Sequence, residues 1–228
     1  MPIPLKFRAP FYPGNDYHLL FKSIDGVKFF HKSDDRLYYL QQFNKFMQPV
    51  ANCFAYALLD NHSHFILRIK PEKELLESIM SIPQQFRTKQ MKAITGPSTA
   101  EAIVSAVVER QVNSFMASYA IVINKANARK GGLFQSPFRR SLIAGDQHLQ
   151  QAIIYTHANA QKHGLVKDFR QYPFTSFNEI VAGNSRFVYA KFVLDFFGGR
   201  EEFIKTHKSQ VDFFYKNHWP VSILEKDQ

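Results

Sequence analysis

The chain contains one cysteine, one tryptophan and no apolar run long enough to span a bilayer. A lone thiol, Cys53, cannot close an internal disulfide, which excludes a disulfide-stapled secreted scaffold and favours a reducing compartment. A membrane-spanning helix needs roughly 18 apolar residues in a row. The densest apolar stretch here, residues 51–59, is interrupted by Asn52. The first residues hold several prolines and no apolar core, so no secretory signal is visible there. These absences point to a cytoplasmic protein with no membrane partner. Acidic residues are also few, 19 against 29 Lys and Arg, for a formal charge of +10. Apolar and aromatic side chains are plentiful, 45% and 15% of 228 residues, enough to bury a core and to exclude a disordered or fibrous chain. The length fits one large domain or one domain with an appendage.

The positive excess is unevenly spread. No acidic residue lies between Glu109 and Asp146, whereas Arg110, Lys125, Arg129, Lys130, Arg139 and Arg140 all fall inside that window. Six positive charges and no negative one make a field of single sign. Such a field suits a polyanionic partner such as nucleic acid, or it is simply a basic surface.

Periodicity gives the organisation. Residues 17–23 have strand-like content, and Gly26 breaks them from a short apolar piece at 27–30. Ser33 or Asp34 is placed to cap a helix whose Leu37, Leu40, Phe43, Phe46 and Met47 follow a 3.6-residue spacing until Pro49. Two apolar runs, 53–59 and 64–69, flank a turn-prone Asp60-Asn61 and read as adjacent strands. A short helix is predicted over 72–80, and an irregular link over 83–97. Ser98 or Thr99 opens a long helix that Gly131-Gly132 stops. A strand is predicted over 138–143, and Gly145-Asp146 starts a helix running to about Gln161, closed by a basic turn and Gly164. Two more helices are predicted at 186–197 and 200–217, parted by Gly198-Gly199. The order strand, helix, strand, strand, helix, strand, helix fits a ferredoxin-like α+β fold. That fold is a four-stranded antiparallel sheet with two long helices on one face, here with a C-terminal helical extension. RNA-binding modules share that architecture, so the fold alone does not settle function.

Two constellations carry chemistry. In a strand, residues two apart point to one face, so His62 and His64 converge on one side of the sheet. Two neutral imidazoles on a rigid face suit a divalent metal, although such a pair is also common by chance among nine histidines. Tyr155 and Asn159, four apart, share a helical face. A phenol near pKa 10 is a poor nucleophile unless a metal polarises its target or a base takes its proton. The plain alternative is an amphipathic helix with a half-buried tyrosine.

Taken together, the motifs resemble the HUH single-strand nucleases, within them the single-tyrosine insertion-sequence transposases, and among these the REP-associated tyrosine transposases. Asn61-His62-Ser63-His64-Phe65-Ile66 resembles the histidine motif, and Tyr17-His18-Leu19-Leu20-Phe21 the opening strand. Gly132-Leu133-Phe134-Gln135-Ser136-Pro137-Phe138-Arg139 resembles the segment before the last core strand. Tyr155-Thr156-His157-Ala158-Asn159, followed by Lys162-His163-Gly164-Leu165, resembles the nucleophile helix, and Pro173-Phe174-Thr175-Ser176-Phe177 the trailing element. The resemblance covers residues 15–180, leaving 181–228 as the extension. Three positions depart from the family pattern: Ser63 replaces a hydrophobic residue, Asp60 a common proline, and Ala160 the proline after the helix-end asparagine. None removes a candidate ligand or nucleophile.

The resemblance implies that Tyr155 attacks a phosphodiester of single-stranded or hairpin DNA and forms a 5′-phosphotyrosine link. It implies that His62 and His64 hold Mg²⁺ or Mn²⁺, with Asn159 as third ligand. Lys125, Arg129, Lys130, Arg139 and Arg140 would then neutralise DNA phosphates, making binding salt-sensitive. Phe134 and Phe138 would stack unpaired bases, or else pack in the core. Competing expectations are a non-catalytic nucleic-acid-binding module on the same fold, and a metal-dependent phosphodiesterase that uses activated water. Monomer and homodimer are both compatible with one chain.

Overall fold

The computed structural model describes residues 8–94 and 101–216. In chain order the elements are β1 (Asp16–Lys22), α1 (Ser33–Met47), β2 (Ala51–Leu59), β3 (His62–Ile69), α2 (Glu72–Ser81), α3 (Lys89–Lys92) and α4 (Glu101–Ala126). Then come β4 (Arg139–Ile143), α5 (Asp146–Lys162), α6 (Phe177–Ala182), α7 (Ala190–Phe196) and α8 (Arg200–Lys216). The four strands form one antiparallel sheet in the order β2-β3-β1-β4, the ferredoxin-like arrangement that the element order predicts. The helix start expected at Ser98 or Thr99 and the end expected at Asn217 lie outside the described residues.

Alternation along the strands divides the sheet into two faces. Tyr17, Leu19 and Phe21 of β1 and Ser63, Phe65 and Leu67 of β3 share one face, which α1 and α4 cover. That layer is aromatic: Phe43 of α1 stacks on Phe65 with ring centroids 3.7 Å apart, and Phe115 of α4 meets Phe21 at 5.5 Å. Phe65 is fully buried, so Phe65→Ala should cost about 3–5 kcal/mol. The check is a lowered urea midpoint at unchanged slope. The opposite face carries His18 and Leu20 of β1 and His62, His64 and Ile66 of β3, and α5 lies across it.

Local chemistry explains the element ends, with corrections to the sequence reading, among them the short helix α3 inside the stretch expected to be irregular. The cap of α1 is Asp35, which reaches back from inside the helix to accept from the backbone N–H of His31 (2.7 Å) and Lys32 (3.0 Å). The long helix α4 stops at Ala126, before the glycine pair. Ala128 turns left-handed (φ 50°) and the Arg129 N–H bonds back to the Asn124 carbonyl at 2.8 Å. A helix unforeseen in the sequence, α6, occupies 177–182, and α7 starts at Ala190, later than expected. The end of α5 follows expectation: Gly164 takes φ 70°, and the Leu165 and Gly164 N–H groups bond to the Ala160 and Gln161 carbonyls.

The segment after α5 returns to the sheet. Thr175 bridges Ala57, and the Leu58 N–H bonds to the Phe174 carbonyl at 2.9 Å, so this stretch covers the edge strand β2. Beyond it, α7 packs on α6 and β2, and α8 packs on α5 and α6. The 180/181 boundary falls inside α6.

Candidate active site

The site forms where α5 crosses the histidine face. His62 and His64 lie with ring centroids 5.2 Å apart at 77°. The Asn61 side-chain oxygen sits 2.8 Å from His62 Nδ1; accepting the Nδ1 hydrogen there leaves the Nε2 side as the lone-pair side. His18 of β1 stacks on His64 at 5.0 Å with rings nearly parallel, and its Nε2 lies 2.8 Å from His64 Nδ1. Burial holds His64 well below the usual histidine range, and the neighbouring His18, His62, His163 and Lys162 push the same way. His64 is therefore a neutral imidazole, the form that ligates a metal.

The helix contributes a stripe at four-residue spacing: Tyr155, Asn159 and His163. The Tyr155 ring lies 6.0 Å from His64, and the His163 ring 5.1 Å from His62. Asn159 falls between them on the same stripe, fully buried, and neither its amide nitrogen nor its amide oxygen has a hydrogen-bond partner within the protein. The same is true of His64 Nε2. A buried polar atom without a partner costs about 1–3 kcal/mol. Two of these atoms, His64 Nε2 and Asn159 Oδ1, carry lone pairs of the kind a divalent cation takes, whereas the amide nitrogen can only donate. Among the described residues no group of three or more His, Cys, Asp or Glu is arranged to hold a metal. The Tyr155 hydroxyl accepts from Lys162 Nζ at 2.9 Å, and the same ammonium sits 4.9 Å from the ring centroid.

The other side of α5 is anchored by a chain of hydrogen bonds. The Phe203 carbonyl can only accept, so His207 donates from Nδ1 (2.7 Å) and its neutral Nε2 accepts from His157 Nδ1 (2.8 Å). His157 Nε2 then accepts from Ser176 Oγ (2.8 Å), which itself accepts from the Tyr56 N–H (2.9 Å). One chain thus ties α8 to α5, to the segment after it and to β2. Burial keeps His157 well below the ordinary range and pushes His207 down to about 3.

The structure distributes the remaining predicted residues over several environments. Lys125 and Lys130 are exposed beyond or at the end of α4, and half-buried Arg129 donates to Asn124 Oδ1 at 3.0 Å. Arg139 pairs with Leu20 in the ladder and therefore shares the histidine face. Arg140 faces the other way: its guanidinium engages Glu109 and the Ala9 carbonyl and lies over the Phe11 and Phe138 rings at 4.7 and 5.3 Å. Those contacts brace the N-terminal segment, and the Arg140 side chain is only 11% exposed. Phe134 and Phe138 are core residues, 6% and 5% exposed. Phe134 packs on Phe29 at 4.8 Å and Phe138 on Phe21 at 5.8 Å, so protein rings occupy the surfaces that base stacking would need.

His18, Lys162 and His163 join the site without having been singled out from sequence. Helical period does place Lys162 and His163 two turns beyond Tyr155, and strand alternation places His18 opposite the apolar residues of β1. The three departures from the family pattern also find local reasons. Ser63 bonds the buried Tyr39 hydroxyl at 2.6 Å on the far face of β3. Asp60 pairs with Arg36 at 2.7 Å and Lys28 at 3.2 Å. Ala160, fully buried, lets α5 run on to Lys162.

No protein-family model matches the chain, and no curated protein matches it. Among solved structures it is similar to a REP-associated tyrosine transposase bound to a REP hairpin. The TM-score is 0.51 at 14% identity, over 83% of this chain and 91% of that one. At that identity the likeness is one of architecture: the chain has the fold of a REP-associated tyrosine transposase.

Proposed function

We propose that the protein is a metal-assisted DNA strand transferase that cleaves and rejoins single-stranded or hairpin DNA through Tyr155. The observation that carries this reading is the juxtaposition of Tyr155 with His64, beside the partnerless buried donors of His64 and Asn159. Residues 1–180 would perform the chemistry and residues 181–228 would brace α5 from behind. The similar transposase is bound to a DNA hairpin, which supports the same class of partner here.

In the proposed reaction, Tyr155 Oη attacks phosphorus, the Oη–P bond forms and the P–O3′ bond breaks. The phenol proton ends on the leaving oxygen, giving a free 3′-hydroxyl and a 5′-phosphotyrosine. A second 3′-hydroxyl reverses the step, and since one ester replaces another no ATP is consumed. His62, His64 and Asn159 would hold Mg²⁺ or Mn²⁺, which supplies Lewis-acid polarisation of the phosphate when bound. Burial of the site keeps bulk water from competing with the incoming hydroxyl. Lys125, Arg129, Lys130 and Arg139 would neutralise DNA phosphates. A strand transferase must meet DNA, so the proposed place of action is the cytoplasm, as monomer or homodimer.

The test uses single-stranded hairpin DNA from the protein's own genomic neighbourhood, labelled at the 5′ or the 3′ end, with Mn²⁺ or Mg²⁺, on a denaturing gel. A slow band carrying the 3′ label, together with a free fragment carrying the 5′ label, is expected, and EDTA should remove both. Free fragments from both labels would point to activated water instead. Binding without either product would leave a nucleic-acid-binding module.

A further inference from the structure

Lys162 is the last residue of α5, seven positions beyond Tyr155. Seven residues make almost two turns, so both side chains leave the helix on the same side. Ala160 keeps the backbone helical up to that point, because it supplies an N–H and no clashing ring. The result is a lysine folded back over the tyrosine: Nζ donates to Oη at 2.9 Å and the ammonium covers the ring at 4.9 Å.

We infer that Lys162 is a positioning residue for the attacking oxygen, and the cation that receives the phosphate at that oxygen. The inference rests on the strand-transfer reading above and deepens it. A phenol swings about its ring axis unless its hydroxyl is held, and a donor on a rigid helix end holds it in one direction. When Oη becomes the bridging ester oxygen, its acceptor strength falls. The ammonium then has the non-bridging phosphate oxygens within the same reach. Negative charge grows on those oxygens as the Oη–P bond forms and the P–O3′ bond breaks. Lys162 keeps its three protons throughout; it neither bonds to phosphorus nor protonates the leaving group.

The test compares wild type, Lys162→Met and Lys162→Arg on the same labelled hairpin, under single-turnover conditions, with hairpin affinity measured in parallel. Lys162→Met should slow adduct formation on the order of 100-fold while hairpin affinity stays unchanged, because the ammonium is held by Oη in the free protein and gains the phosphate oxygens only as the Oη–P bond forms. Lys162→Arg should recover most of the rate, since it restores a cationic donor. An unchanged rate in Lys162→Met, or a parallel loss of rate and affinity, would overturn the inference. If Lys162→Met fails to fold, Lys162→Leu makes the same comparison, since it too removes both the donor and the charge. A wild-type chain that forms no adduct would instead overturn the strand-transfer reading itself.

Discussion

Tyr155→Phe should abolish the covalent protein–DNA band, by at least about 10⁴-fold, while hairpin binding survives. The substitution deletes a single oxygen. The ring that lies 6.0 Å from His64 remains, and the packing of α5 on the sheet remains with it. What goes is the only atom of that side chain able to bond to phosphorus, along with the hydrogen bond from Lys162. His62→Ala provides the contrast. There the proposed nucleophile is intact, but one imidazole of the proposed ligand set is lost, so the reaction should slow and demand more Mn²⁺ or Mg²⁺. The measurement is adduct yield against metal concentration for both variants. Cleavage that persists in Tyr155→Phe and fails in His62→Ala would assign the attack to water. Cleavage unaffected by either would remove the whole face from the chemistry.

The second large effect concerns acid. His157 and His207 are fully buried, neutral and bonded to each other. Both have folded values below the ordinary 6.5, with His207 at about 3. In the unfolded chain they titrate near 6.5, so below that pH the unfolded state binds more protons than the folded one. Stability is thus fully present above pH 6.5 and falls as the pH drops toward the folded values. Each histidine contributes about 1.4 kcal/mol per pH unit, so the pair should cost about 2.7 kcal/mol per unit once the pH is well below 6.5. Urea midpoints at pH 7.5, 6 and 5 read this directly. A variant with glutamine at both positions keeps neutral polar groups there and should show a flatter profile. An equally steep profile in that variant would move the effect to other groups.

Legibility from sequence followed the physics of each element. The strands and the long helices announced themselves through alternation or 3.6-residue spacing, and Gly145 and Gly164 marked both ends of α5. The pairing of Tyr155 with Asn159 followed from helix geometry alone. Less was readable where partners are remote in sequence. His18 meets His64 across 46 residues, and His157 meets His207 across 50. No local pattern encodes either contact. Phe134 and Phe138 sit in a connecting segment, which has no periodicity to say whether a ring faces core or solvent. Helix α6 is six residues long, too short for a helical period to emerge. Asp35 escaped notice as a cap because it acts backward from within the helix.

The crossing of α5 over β3 has one more consequence. Tyr155 lies against His64 of its own polypeptide, and His163 against His62. The proposed nucleophile and the proposed ligand set therefore travel together on each copy. An assembly of two such chains would hold two whole sites, and a helix traded between them would substitute like for like rather than complete anything. The number of strand breaks that an assembly can make at once then counts its copies, not its interfaces.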